Sequence, residues 1–305
     1  MDTPKLSGLM IGLSITLLYA GWTIATRFGL NTHLSVGDLM ALRLFVACVI
    51  ALPILLYHKP WQGLRLRQYA ILGFLGGLPH SLLAYGALER ISVAHFSVFL
   101  YGMAPVATAL ISYLLLRKTI TKPQAIGAVL ILGGIVSLGY DGFAQGLQAE
   151  TWVGALMAVG AITSFAGYMV FAERWHVTAA QAIMACTVLN GLLYLPFWGL
   201  FMESQLATIP TSDLVIQGLF QGMIPGILAL YTTALATKAL GANVTSLFYA
   251  LIPVTAAGLA VPFLGEAITV KIIFGLFVTT GGIIIATFQF KTSKAAKSFS
   301  ALPRS

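Results

Sequence analysis

Apolar runs of about 20 residues recur along the whole chain, separated by short clusters of charge, proline and glycine. A helix that crosses a bilayer needs about 20 mainly apolar residues, so each run predicts a spanning helix. The breaks place ten of them, at approximately 7–26, 37–57, 69–88, 92–116, 124–140, 152–173, 179–202, 214–237, 241–263 and 269–289. Connections this short leave no room for an inserted soluble domain. The first run continues to about Ala25, longer than the apolar stretch of a secretory signal, and is expected to be a retained first helix.

Charge then sets the orientation. If the spans alternate in direction, the side carrying the N-terminus holds Lys5, Lys59, Arg65, Arg67, Arg117, Lys118, Lys122, Arg174, Lys238, Lys291, Lys294, Lys297 and Arg304. The other side holds Arg27, Arg90 and Lys271, and Arg43 falls inside a span. Lys and Arg accumulate on the cytoplasmic side of membrane proteins, so thirteen against three predicts that both termini are cytoplasmic. A bacterial inner membrane is the expected location. The basic segment 291–305 reads as a stop-transfer and lipid-headgroup tail.

Composition agrees with a lipid environment. Of 305 residues, 58% are hydrophobic and 9% charged, with a mean hydropathy of +0.91; soluble domains carry about 25% charged residues. The net charge of +8 would suggest nucleic acid in a soluble protein, but here it lies in loops and tail. Cys48 and Cys186 sit singly inside apolar runs, as packing residues do, with no disulfide framework or metal spacing.

The two halves of the chain resemble each other. Ala20-Gly21-Trp22 matches Ala166-Gly167-Tyr168 at a shift of 146, as do Phe74, Gly76, Pro79 and Tyr85 with Phe220, Gly222, Pro225 and Tyr231. Beyond a two-residue indel, Tyr101, Pro105, Gly127, Gly133 and Gly134 match Tyr249, Pro253, Gly275, Gly281 and Gly282 at a shift of 148. Five helices is an odd number, so the second copy enters the membrane inverted. Inverted repeats recur in secondary transporters, with the substrate site near the midplane between them. The expected fold is therefore all-α and membrane-embedded: ten transmembrane helices in two inverted five-helix repeats, 1–145 and 146–290, around a central cavity.

The chain resembles the drug/metabolite transporter superfamily with two EamA-type repeats. The resemblance rests on Leu251-Ile252-Pro253, Phe263-Leu264-Gly265-Glu266, Gly275 and Gly281-Gly282. The first repeat shows Ala104-Pro105, Gly127 and Gly133-Gly134 but has Arg117-Lys118 where the second has Gly265-Glu266. Ten helices and low charge are also similar to the YddG-type amino-acid exporters of that superfamily. The resemblance implies export of amino acids or related small metabolites.

Ionisable and polar groups within spans are the functional candidates. His80 lies near the midplane of the third span and follows Pro79, whose missing N–H exposes a carbonyl near a bend. It is either a cavity residue or a histidine bonded to a neighbouring carbonyl. Arg43 either snorkels to the headgroups or binds a substrate carboxylate with its planar fork. Asn190 is a ligand or interhelical glue, and Gln217 and Gln221 are placed to line an aqueous vestibule. Trp22, Tyr85 and Tyr101 fall in the outer half or near the centre, and their mates Tyr168, Tyr231 and Tyr249 in the inner half or near the centre, deeper than an interfacial belt. They are expected to bind substrate or to form two matched gates, against the alternative of core packing. Tyr101-Pro105-Thr108-Ser112 makes a small polar stripe at helical spacing, and Ser246-Tyr249-Pro253 repeats part of it. Pro79, Pro105, Pro225 and Pro253 are the expected helix breaks.

No enzyme signature is present: no paired intramembrane carboxylates, metal spacing, nucleophile elbow or phosphate-binding glycine loop. No cofactor and no metal are called for, and no nucleic-acid partner. A channel's pore ring or filter is not visible. With no mid-membrane Asp or Glu, proton coupling would have to use His80, whose ordinary pKa is about 6.5; facilitation or exchange stands beside it. One intramembrane cation is too few for phosphate-bearing cargo, which points to a neutral or zwitterionic substrate. Alternatives are a multidrug or other metabolite exporter and, more distantly, a membrane-embedded enzyme or scaffold. Oligomeric state is left open.

Overall fold

The computed structural model describes residues 3–32, 34–144, 149–229, 231–232 and 248–287, and among them the secondary structure is wholly helical. The basic tail 291–305, Ser246 and the predicted connection around Lys238 lie outside the described residues. The helices are α1 (Thr3–Asn31), α2 (Val36–His58), α3 (Leu66–Gly76), α4 (Leu78–Arg90), α5 (Val93–Ser97), α6 (Met103–Leu116), α7 (Lys122–Ala144), α8 (Ala149–Arg174), α9 (Ala179–Ile183), α10 (Asn190–Phe201), α11 (Thr211–Met223), α12 (Ile252–Leu264) and α13 (Val270–Thr287). Six described stretches are long and apolar enough to cross a membrane: Val36–Pro53, Leu66–Arg90, Val93–Leu116, Glu150–Arg174, Ala179–Phe201 and Val270–Thr287.

The packing is inside-out relative to a soluble protein. Asp38, Asn190, Gln217, Gln221, Thr16, Thr23 and Thr26 are buried, whereas Leu192, Leu193, Leu200, Phe201, Phe274 and Phe277 are exposed. Hydrocarbon imposes no penalty on those outer side chains, but every polar group must find a partner inside. Asp38 shows how completely this can be met. It takes hydrogen bonds from Ser35 Oγ (2.9 Å), Trp198 Nε1 (3.1 Å) and the Gln205 backbone N–H (3.3 Å), which ties the start of α2 to the end of α10.

Hydrogen bonds between loops define two opposite faces. On one, Lys118 meets Glu173 at 2.7 Å, Gln181 Nε2 donates to the Gln62 carbonyl at 3.3 Å, and the Tyr69 hydroxyl donates to the Pro60 carbonyl. On the other, Arg27 donates to the Leu88 and Glu89 carbonyls, and Glu266 accepts the Val93 backbone N–H with both carboxylate oxygens at 3.0 Å. Glu266 thereby satisfies an orphan donor at the start of α5 and places negative charge at a helix N-terminus.

Several of the described helical stretches are interrupted rather than straight. The α3–α4 run breaks at Gly77 (φ −104°, ψ −113°), with Pro79 in the first turn of α4. Stretches of π-helix occupy Val98–Gly102, Met184–Leu189 and Ile224–Leu228, the last containing Pro225. A turn at Leu251 precedes Pro253 in α12. A Cβ at Gly77 would stand 2.0 Å from Asn190 Nδ2 and 2.3 Å from the Gly73 carbonyl oxygen, so the break requires glycine by close approach.

Two helix ends a constant 148 residues apart share one geometry. Met103 and Leu251, each two residues before a proline, have ψ of −10° and −15°. The following helices end on Arg117 (φ 55°, ψ 25°) and Gly265 (φ 68°, ψ 19°), both left-handed. Each end closes with the same pair of bonds: Lys118 N to Ser112 O and Glu266 N to Ala260 O at 3.3 Å, and Arg117 N to Tyr113 O and Gly265 N to Val261 O at 3.1 Å. The bond from the left-handed residue's N–H to the carbonyl four residues back is that of an αL-type closure, which favours glycine at the left-handed residue. It gives the Gly265-Glu266 pair a role in turning the chain and capping α5.

Helices α7 and α13 meet along glycines. A Cβ on Gly127 would lie 2.5 Å from the Gly282 carbonyl oxygen, and one on Gly134 2.3 Å from Thr279 Oγ1, whereas Gly133 and Gly281 have nothing within 4 Å. One glycine of each pair therefore carries the helix contact.

Candidate functional site

A cavity of about 720 Å³ runs into the helix bundle, within the range of small-molecule sites. Its exposed mouth is lined by Lys118, Thr119, Thr121 and Glu173, on the face of the α6–α7 connection. The wall along α6 and the π segment before it includes Tyr101, Pro105, Thr108 and Ser112, about one residue per turn. Four of the helix interruptions reach this cavity. Gly76 and His80 flank the α3–α4 break, Leu100 and Tyr101 lie in one π segment, Cys186 and Thr187 in another, and Pro225 in the third. Such π segments collect at functional sites, because a helix forced out of register re-aims side chains and frees carbonyls.

His80 has both a carbonyl neighbour and a place on the cavity wall. Its Nδ1 lies 2.9 Å from the Ala161 carbonyl oxygen, on α8, and its ring lines the cavity. A carbonyl only accepts, so Nδ1 carries the proton. In the neutral ring Nε2 is then left as an acceptor. The ring packs on Phe165 (centroids 4.8 Å apart), which packs on Tyr168 (5.2 Å), forming an aromatic wall.

Deeper in, Tyr19, Tyr101 and Tyr249 converge. Tyr19 stands 6.1 Å from Tyr101 and 5.4 Å from Tyr249 between ring centroids, and the Tyr101 hydroxyl is 3.3 Å from Thr23 Oγ1. Tyr19 is absent from the sequence-derived candidates, although it lies one helical turn before Trp22 and shares its face. Tyr101 and Tyr249, expected in two separate gates, meet at one place.

Beyond Trp22 the bundle is closed by a hydrogen-bonded plug. Gln221 Oε1 accepts from Trp22 Nε1 at 2.8 Å and from the Tyr85 hydroxyl at 2.9 Å. Its Nε2 donates to Thr26 Oγ1 at 3.0 Å and to Gln217 Oε1 at 3.2 Å, and Gln217 Nε2 donates to the Ala25 carbonyl at 2.9 Å. Tyr85, Thr26 and Gln221 are fully buried. Gln217 and Gln221 therefore do not line a vestibule; they seal it.

Two other expectations are corrected. Asn190 does not reach the cavity. Its Nδ2 donates to the Gly73 and Ala185 carbonyls at 3.0 Å and to Cys186 O at 3.2 Å, serving carbonyls at the α3–α4 break and the Met184–Leu189 π segment. Tyr231 is 59% exposed on the outer surface, because the π segment before it absorbs an extra residue and rotates the later residues by about 100°. Pro253 is buried in the first turn of α12. Arg43, by contrast, lines the cavity. Among the described residues no three His, Cys, Asp or Glu side chains are grouped to hold a metal ion.

The EamA-like transporter family model matches residues 6–140 and again 152–288. The chain belongs to the EamA-like transporter family. Among curated relatives, the uncharacterized transporter YetK of Bacillus subtilis (strain 168) is 24% identical, covering 95% of this chain and 90% of its own. YyaM of the same organism, also named an uncharacterized transporter, is 24% identical over 93% of this chain and 99% of its own. A protein solved by crystallography shares the fold with a TM-score of 0.65 at 22% identity, over 92% of this chain and 96% of that one. Family and apolar helices together make this EamA-like chain a multi-pass integral membrane protein whose relatives are named transporters.

Proposed function

We propose that the protein is a secondary transporter that exports amino acids or related small neutral or zwitterionic metabolites by alternating access. The observation that carries this reading is the single-ended cavity. It is open past Lys118 and Glu173, and it is sealed at the far end by Trp22, Tyr85 and Gln221. A channel would be open at both ends, whereas a transporter exposes its site to one face at a time.

The same reading takes the chain as ten helices in two inverted repeats, 1–145 and 146–290. Its support is the pair of family matches together with the shared turn and left-handed helix-end geometry at a shift of 148. With basic residues cytoplasmic, the open mouth beside Lys118 and Arg117 faces the cytoplasm of a bacterial inner membrane. That is the loading side for an exporter of the YddG type. The cavity chemistry is mixed, with His80 and Arg43 on one part and Phe165, Tyr168 and Tyr249 on another. An amino acid carries both kinds of surface.

Reconstitution in liposomes with a panel of amino acids, amines and hydrophobic drugs tests it. The expected result is saturable movement of one or more amino acids. Movement of drugs alone would replace this reading with a multidrug exporter. Repeating the assay with a pH gradient, and with His80→Gln, separates proton coupling from facilitation: a gradient that leaves the rate unchanged removes His80 as a coupling group.

A further inference from the structure

Among the described residues, Arg43 is a cation in the cavity wall without a carboxylate to balance it. Its guanidinium carries five N–H donors, and it lines the cavity beside Tyr85 and His80. Tyr85 spends its own proton on Gln221 (2.9 Å), so its oxygen can face the guanidinium only as an acceptor. The acid on the same helix, Asp38, is engaged by Ser35, Trp198 and Gln205. Glu173 pairs with Lys118 at the mouth. Among the described residues no carboxylate lies within ion-pair distance of Arg43.

A partly desolvated guanidinium with spare donors is costly unless something anionic meets it. We propose that Arg43 is the residue that selects the cargo, by binding a monoanionic carboxylate through its planar fork at the sealed end of the cavity. This rests on reading the cavity as a transport site. The fork matches two carboxylate oxygens in one plane. One positive charge balances one negative charge, so a dianionic phosphate would stay half-compensated. The apolar remainder of the cargo would lie against Phe165 and Tyr168, on the wall that continues from His80.

The test is direct binding to the purified full-length protein, with matched pairs of amino acid and amino-acid amide across aromatic and aliphatic side chains. 3-Phenylpropionate, phenethylamine and phenyl phosphate are added to the panel. Carboxylate probes are expected to bind the wild type at least tenfold more tightly than their amides or phenyl phosphate. Arg43→Gln is expected to erase that difference while leaving phenethylamine unchanged, and Arg43→Lys to retain part of it. Equal affinity for acids and amides in the wild type overturns the proposal, as does binding of no carboxylate probe. So does an Arg43→Gln protein that still prefers the acid. The wild-type comparison decides the matter if Arg43→Gln does not fold. Binding of 3-phenylpropionate through Arg43 without amino-acid transport in liposomes would instead sink the amino-acid reading and leave the carboxylate site standing.

Discussion

Gln221 is the shared acceptor of Trp22 and Tyr85, and Gln221→Leu keeps its bulk while removing both bonds. Interhelical hydrogen bonds in membrane proteins contribute about 0.6 kcal/mol on average and up to about 1.7. The substitution also removes the two bonds that Nε2 donates to Thr26 and Gln217. Losing all four should weaken the sealed state by about 2 kcal/mol, and about 1.4 kcal/mol is a tenfold change in a ratio of states. In the transport reading, the variant's cavity becomes several-fold more reactive toward impermeant thiol reagents from the outer face. Unchanged reactivity would mean that the plug is not what holds that end shut. The residues of this region were partly legible in the sequence. Trp22, Arg43 and His80 stand out because polar groups are so few within the spans. What sequence could not show is pairing across 136 to 199 positions, as in Tyr85 or Trp22 with Gln221. Two glutamines with solvent look the same on paper as two glutamines with each other.

Among elements, the interrupted helices matter most. Asn190 is the side chain that lets α3–α4 and the Met184–Leu189 segment break side by side, by serving three carbonyls at once. Asn190→Leu leaves these carbonyls buried without it, at a cost of about 1–3 kcal/mol for an unsatisfied group. The expected outcome is a clearly lowered unfolding temperature in detergent with substrate KM little changed. A variant that is fully stable but binds substrate poorly would return Asn190 to the cavity. A missing N–H is readable from sequence, but Pro53, Pro196 and Pro262 lie within continuous helices, and the Met184–Leu189 π segment contains no proline. The geometry chosen at a proline was not readable. Pro79 follows a glycine break, Pro225 sits in a π segment, and Pro105 comes after one. That choice sets the face of everything downstream, which is why Tyr231 reads as an inward residue and lies outside. At the helix ends, Gly265 was readable as a cap and Arg117 was not, because only one of the two left-handed residues is a glycine.

For the whole molecule, hydropathy alone displayed the alternation of apolar runs, because lipid leaves backbone groups no partners except those within a helix. The closed end of the cavity was not displayed, since it depends on pairings between distant residues such as Trp22 and Gln221. The central claim is that one cavity opens to the basic face and to no other. Ser112 lies on its wall toward the mouth, so Ser112→Cys, with Cys48 and Cys186 replaced, reports access. It can be probed with a membrane-impermeant maleimide in right-side-out and inside-out vesicles without substrate. Labelling from the cytoplasmic face with protection from the outer face is the result expected. Labelling from both faces at once, or from the outer face alone, would contradict the account.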